Sequence, residues 1–191
     1  MKLEYLRHSL RRWDHLGFEV EPDGTPIWGR LGDGRYRGWL HQIMPAYDAD
    51  VLEVFLQENP FLAPYQHPKA WREFSGFELF SKTLSLYGPH LKSNPPRVWR
   101  PMNVVNMNTS ESWCTEKFDG LIFGSGFYGK YFYVERRDGQ VVAVCRETEG
   151  EVFRWPNFCE FLTTEIHRCS EAWNDDGEPD EAFLKSRFGE A

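Results

Sequence analysis

The chain reads as an α+β domain built on a mainly antiparallel twisted sheet, with helices at the N-terminus, between the early strands and at the C-terminus. Three features predict this. Apolar residues recur every three or four positions near both ends, the mark of helices with one buried face. Two β-prone runs, YFYVERR and QVVAVCR, flank Asp138-Gly139, the strongest hairpin signal in the chain. Short strands joined by tight turns, rather than strands alternating with long helices, give an antiparallel meander.

The elements follow in order. Leu3, Leu6, Leu10, Trp13 and Leu16 line one side of a helix over 3–16, with Arg7, His8, Arg11 and Arg12 mostly opposite and Gly17 as its stop. A turn-rich stretch from 22 to 38 predicts short strands at Ile27–Leu31 and Arg35–Ile43, joined at Gly32–Gly34. Pro45 precedes a helix over Tyr47–Asn59, with Val51, Leu52, Phe55 and Leu56 as its buried stripe and Asp48 or Asp50 as its cap. Residues 60–75 are rich in Pro and aromatics and read as an ordered loop with a short helix near Trp71–Phe74. Strands are expected within Phe77–Leu86, Val98–Met107, Leu121–Ser125, Lys130–Arg136 and Gln140–Arg146. Pro156 opens a last helix whose stripe is Phe158, Leu162, Ile166, Cys169 and Trp173. The acidic run from Asn174 to Glu181 ends it, and a short segment, Ala182–Phe188, follows.

A chain of 191 residues is expected to bury about 70% of its unfolded surface, so it needs no disulfide or metal to hold a core. No internal repeat or long linker divides it, so 1–191 reads as one domain with 174–191 as an acidic C-terminal extension. No run approaches the roughly 18 apolar residues of a membrane span, and the charged N-terminus lacks a signal-peptide core. A cytoplasmic location is the expectation, with Cys114, Cys145, Cys159 and Cys169 as thiols.

The net charge of −7 is uneven. Residues 147–191 carry four Lys/Arg against twelve Asp/Glu, while the rest is nearly balanced. Phosphate contacts need clustered Lys and Arg, so nucleic acid is a disfavoured partner and a basic protein a favoured one.

Several motifs, in order, resemble the SMI1/KNR4 superfamily, also called SUKH. After the N-terminal helix come Met44-Pro45-Ala46-Tyr47 leading into a helix, and Gly76-Phe77-Glu78-Leu79-Phe80 as a G-x-x-L-F strand. Then follow Leu121-Ile122-Phe123-Gly124, Gly129-Lys130-Tyr131, the Asp138-Gly139 hairpin, and Trp155-Pro156-Asn157-Phe158 at the entry to a helix. Ser125-Gly126 stands where the family has an acidic-Gly step, and Glu135 where it has Asp. The resemblance covers most of residues 1–173. It implies a non-enzymatic protein-binding domain, in bacteria an immunity protein that neutralises a cognate toxin, often a nuclease. Two alternatives stay open: an intracellular regulator or scaffold of the same fold, and an enzyme of unrecognised type.

No catalytic or cofactor-binding constellation is legible, and no metal site is expected. Cys159, His167 and Cys169 are the nearest to a metal set, but His167 and Cys169 lie about 200° apart around a helix. Ser125 between two glycines is not the G-x-S-x-G elbow of a hydrolase. GRLGDG lacks the Lys-Ser/Thr of a phosphate loop. The partner-binding candidates are therefore the carboxylates Asp175, Asp176, Glu178, Asp180 and Glu181, with Trp173 beside them as an aromatic anchor. Phe127 and Tyr128, on the loop GSGFYG, are the second set. Trp173 continues the helical stripe, so a core position is its competing assignment.

Overall fold

The computed structural model describes residues 3–31, 38–91, 100–180 and 182–183. Nine strands form one antiparallel sheet whose order in space is their order along the chain. They are β1 (Phe18–Val20), β2 (Pro26–Leu31), β3 (Gly38–Pro45), β4 (Phe74–Leu79), β5 (Leu84–Leu86), β6 (Gly120–Gly126), β7 (Tyr131–Arg136), β8 (Val141–Cys145) and β9 (Glu151–Trp155). Among the described residues six α-helices of four or more residues accompany them: α1 (Leu3–Leu10), α2 (Ala49–Glu58), α3 (His67–Ala70), α4 (Val104–Ser110), α5 (Ser112–Phe118) and α6 (Phe158–Glu171).

In such a meander the connections alternate between the two ends of the sheet. The β4–β5, β6–β7 and β8–β9 turns share one end, because Leu84 pairs with Gly126 and Tyr131 with Cys145. The β3–β4 and β5–β6 connections leave from the other end and carry α2 with α3, and α4 with α5.

Both faces of the sheet are covered. On one, α1, a 3-10 turn (Arg11–Leu16) and α6 pack Leu6, Leu10, Trp13, Phe161 and Ile166 against Phe77, Phe123, Tyr133 and Val141. On the other, Leu52, Leu62, Trp71, Val104 and Cys114 from the helical connections meet Ile122, Phe132, Val134, Val142 and Val144. Tyr131 and Tyr133 thus belong to one core and Phe132 and Val134 to the other, the period-two alternation of a strand buried on both sides.

The terminal elements match the sequence pattern. Leu6, Leu10 and Trp13 are fully buried and Leu16 half-buried, although the last six residues are 3-10, closed by Gly17 at φ +103°. In α6, Phe158, Leu162, Ile166 and Cys169 are buried, and Asn157 caps the start by accepting from the Glu160 amide.

Other expectations need correction. Val104–Ser110 is helical, started by Asn103, whose side chain accepts from the amides of Val105 and Asn106. A capped turn outweighs the β propensity of Val104-Val105. Phe77–Leu86 holds a hairpin, with β4 beginning earlier at Phe74 and a turn at 80–83. The short helix of the aromatic loop lies at His67–Ala70. In α2, Leu52 is buried but Val51 is exposed, and Asp48 occupies the cap position without a side-chain cap bond. The strand β9, Glu151–Trp155, has no counterpart in the sequence reading. The Gly32–Gly34 turn, the first two residues of the expected Val98–Met107 strand and residues 184–188 lie outside the described residues.

Two buried carboxylates tie helices to the sheet. Glu135 accepts from the amides of Gln66 (2.6 Å) and His67 (2.9 Å), fixing the start of α3. Glu165, fully buried on α6, accepts from the Tyr133 hydroxyl (2.8 Å) and pairs with Arg168. Burial holds the Glu165 carboxyl above its ordinary value of 4.5, against the opposing pull of Arg168 and Tyr133. As pH rises past 4.5 the unfolded chain therefore ionises here first, so this group's contribution to stability declines until the folded carboxyl ionises too. The Tm of Glu165→Gln relative to the unaltered protein is expected to climb with pH over that interval. A difference that stays flat from about pH 4 to about pH 8 would refute a raised ionisation at this position.

Candidate functional site

Strained backbone concentrates at the turn end of the sheet. Phe80, Ser81 and Lys82 in the β4–β5 turn have φ of 53°, 50° and 72°. Phe127 and Tyr128 in the β6–β7 turn have φ of 48° and 55°, followed by Gly129 at 85°. A side chain in this region costs about 1–2 kcal/mol per residue, so the surroundings must hold it there. The two turns brace each other, since the Phe127 amide donates to the Thr83 carbonyl at 2.8 Å.

The first turn is also anchored below. The Phe80 amide donates to Nδ1 of His41 at 3.1 Å, and the Ser81 amide to the Leu40 carbonyl at 2.8 Å. The Phe80 ring meets Trp13 and His41 edge-on, at 5.6 and 4.7 Å between centroids, and Trp173 at 6.4 Å. His41 is fully buried, and burial lowers its pKa to about 3. A neutral imidazole is what the geometry requires, because Nδ1 must carry a lone pair for the Phe80 amide.

A cleft of about 270 Å³ opens beside these turns, lined by Glu78, Lys82, Ser85, Tyr87, Ser125 and Tyr128 among others. Glu78 accepts from the Gln42 amide group and lies 3.8 Å from Lys82. The Tyr87 hydroxyl bonds to Ser125, and burial raises its pKa to about 12. Tyr128 stands 60% exposed at the rim, and Met102 is 52% exposed.

The acidic segment is folded rather than trailing. Trp173 bridges to Pro179, and the Asp180 amide donates to the Ala172 carbonyl at 2.7 Å. Asn174 closes the loop by accepting from the Glu178 amide at 2.9 Å. The Trp13 indole donates to the Asn174 carbonyl at 2.8 Å, and Arg12 pairs with Asp175 and donates to the Ser170 carbonyl at 3.1 Å. Part of the basic face of the N-terminal segment thus clamps the acidic loop. Asp175, Asp176, Glu178 and Asp180 are all exposed, with Asp180 also accepting from the Phe183 amide, while Glu181 lies outside the described residues.

Of the aromatic candidates, Tyr128 alone presents its ring. Trp173 is 3% exposed and Phe127 8%, so both are core residues, corrected from the role of surface anchors. Trp173 is held inside because the segment after α6 lies against Phe80, and Phe127 because its turn is bonded to Thr83 in the neighbouring β4–β5 turn. These buried rings still serve the site. Through Phe80 and Thr83 they bring the acidic loop and the Tyr128 turn, nearly 50 residues apart in sequence, to one end of the sheet. Glu78, Lys82 and Met102 join them with no signal in the sequence: Lys82 lies in a turn read there as continuous strand, with Glu78 on the strand before it, and Met102 in a connection read there as strand.

The other reactive residue types are dispersed. Cys169 is buried in the core, Cys159 is exposed, and His167 pairs with Glu171 at 3.4 Å. Among the described residues no three His, Cys, Asp or Glu come together as a metal-binding group. Burial pushes the Cys114 thiol up to about 12 and Cys169 higher still.

Two outcomes follow. With a thiol-exchange reagent near neutral pH, Cys159 is expected to label at once, while Cys114 and Cys169 wait for unfolding; immediate modification of all four thiols would contradict the packing. Tyr128→Gly is expected to keep or raise thermal stability, by up to about 1 kcal/mol, because glycine relieves the positive φ at some cost in chain entropy. A loss of several kcal/mol in calorimetry would show that the ring holds the fold instead. Compared with family models, curated proteins and solved structures, the chain matches none.

Proposed function

We propose that this domain acts by binding another protein through the turn end of its sheet, as an immunity protein binds a basic toxin domain. The observation that carries the reading is the convergence there of an exposed tyrosine on strained backbone with a rigid loop of exposed carboxylates. Strained backbone is costly to keep, and a ring set on rigid backbone loses little entropy when a partner covers it. The carboxylates add a field that draws a basic surface, raising association rates by about 10–10³-fold at low salt. The similarity of the ordered motifs to the SMI1/KNR4 superfamily points the same way, toward toxin neutralisation inside the cell by protein contact alone.

The division of labour gives distinct kinetics. Asp176→Lys with Glu178→Lys, which spares the Arg12–Asp175 pair, is expected to slow association by about tenfold or more at low salt and to matter little at high salt. Tyr128→Ala is expected to speed dissociation by about tenfold or more, as loss of an interface anchor does. Surface plasmon resonance against the co-purifying partner, or against the product of a neighbouring toxin gene, measures both. Unchanged rates in the two variants would remove this end of the sheet from the interface.

A further inference from the structure

A second cleft, of about 450 Å³, lies at the opposite end of the sheet on the face covered by α4 and α5. Its lining includes Phe61, Tyr65, Thr115, Glu116, Asp119 and Arg137. Asp119 (φ 45°) and Gly120 turn the chain sharply from α5 into β6. A Cβ on Gly120 would stand 2.6 Å from Val134 Cγ1 and 2.7 Å from the Glu135 carbonyl, so the floor there leaves no room for a side chain. Arg137 is engaged: its side chain pairs with Asp119 at 3.1 Å and bonds the Tyr65 hydroxyl, and its amide donates to the Asp119 carbonyl at 3.3 Å. The guanidinium in the lining is therefore matched from within, which disfavours an anionic ligand.

The remaining features select a cation. Phe61 is 45% exposed in the lining, which also holds the carboxylate of Glu116; that of Asp119 is already paired with Arg137. The segment 46–66, which brings Phe61 to the cleft, contains Asp48, Asp50, Glu53 and Glu58 and no Lys or Arg. The same segment exposes Val51 (39%) and Val54 (54%) on α2, apolar surface that a small ion would leave wet and that a polypeptide could cover.

We infer that this cleft seats an arginine or lysine side chain from a basic segment of a partner protein, with Phe61 stacking on the cation and Glu116 pairing with it. The assignment rests on the protein-binding reading above and adds a second contact region, remote from Tyr128. Its occupant is recognised by charge and by the stem of the side chain, the combination an aromatic ring beside a carboxylate favours.

The test titrates 15N-labelled protein with N-acetyl-Leu-Arg-Leu-amide, and with the same peptide carrying citrulline, which keeps the shape and removes the charge. Amide shifts are expected at Phe61, Thr115, Asp119 and Arg137, with the citrulline peptide at least about fivefold weaker. Glu116→Gln and Phe61→Ala, both at exposed positions, should each weaken the arginine peptide about threefold or more, with Tyr128→Ala leaving it unchanged. Equal binding of the two peptides, or no shift at these residues with millimolar peptide, would overturn the assignment. With the intact partner, binding that survives Glu116→Lys plus Phe61→Ala but not Tyr128→Ala overturns the cleft and spares the turn-end reading. Binding lost only in the cleft variant overturns the turn end and supports the cleft.

Discussion

A strand that is apolar on both faces must be covered twice, and the whole architecture answers to that constraint. The strands β6, β7 and β8 run with nearly every side chain buried. Exposing either face would leave Phe123 and Tyr133, or Phe132 and Val144, in water, and each such side chain is worth about 1.5–3 kcal/mol of burial. Coverage of one face is supplied by the chain termini, through α1, the 3-10 turn and α6. The two long connections, which begin and finish at the same end of the strands, supply the other. This explains why the helices between early strands cannot be short turns, and why the β-prone runs of the second half read as continuous rather than alternating.

The same coverage creates the polar problem that buried carboxylates solve. Glu135 reaches amides at the start of α3, and Glu165 reaches Tyr133 from within α6. Each is a helix-to-sheet tie that an apolar side chain could not make, and each is costly without its partners. The exposed carboxylates behave differently. Asp175, Asp176, Glu178 and Asp180 sit on a closed loop whose shape is set by backbone hydrogen bonds and by Trp13, so their charges stay fixed in space. A fixed charge pattern steers a partner with less loss of entropy than a mobile tail.

The proposed binding end depends on the core beneath it. Phe80 belongs to the strained β4–β5 turn, and its buried ring meets residues from the 3-10 turn after α1, from β3 and from the segment after α6. Neutral His41 is part of that support, because a protonated ring could not accept the Phe80 amide. Positive φ at five non-glycine positions in two adjacent turns is thus maintained by three separate parts of the chain. Tyr128 occupies the exposed crest of the arrangement while Phe127 closes it from inside.

Much of this was legible in the residues alone. Helical stripes at both ends, the Asp138-Gly139 hairpin and the meander follow from periodicity and turn chemistry, which act over a few neighbours. The acidic run 174–181 and Tyr128 on its loop were likewise visible as candidates. What tertiary structure decided is where strand and helix compete and what lies beside what. Val104-Val105 is β-prone, yet the Asn103 cap draws it into α4. Trp173 and Phe127 carry the residue type of an interface anchor, yet packing against Phe80 and Thr83 takes both inside. The clamp of Arg12 on Asp175 joins residues 163 positions apart, and Phe61 and Asp119 line one cleft only because two separate connections cover one face of the sheet. Local preference is written in neighbouring residues; the partners of a side chain across a sheet are settled only when burial of the whole chain is satisfied at once.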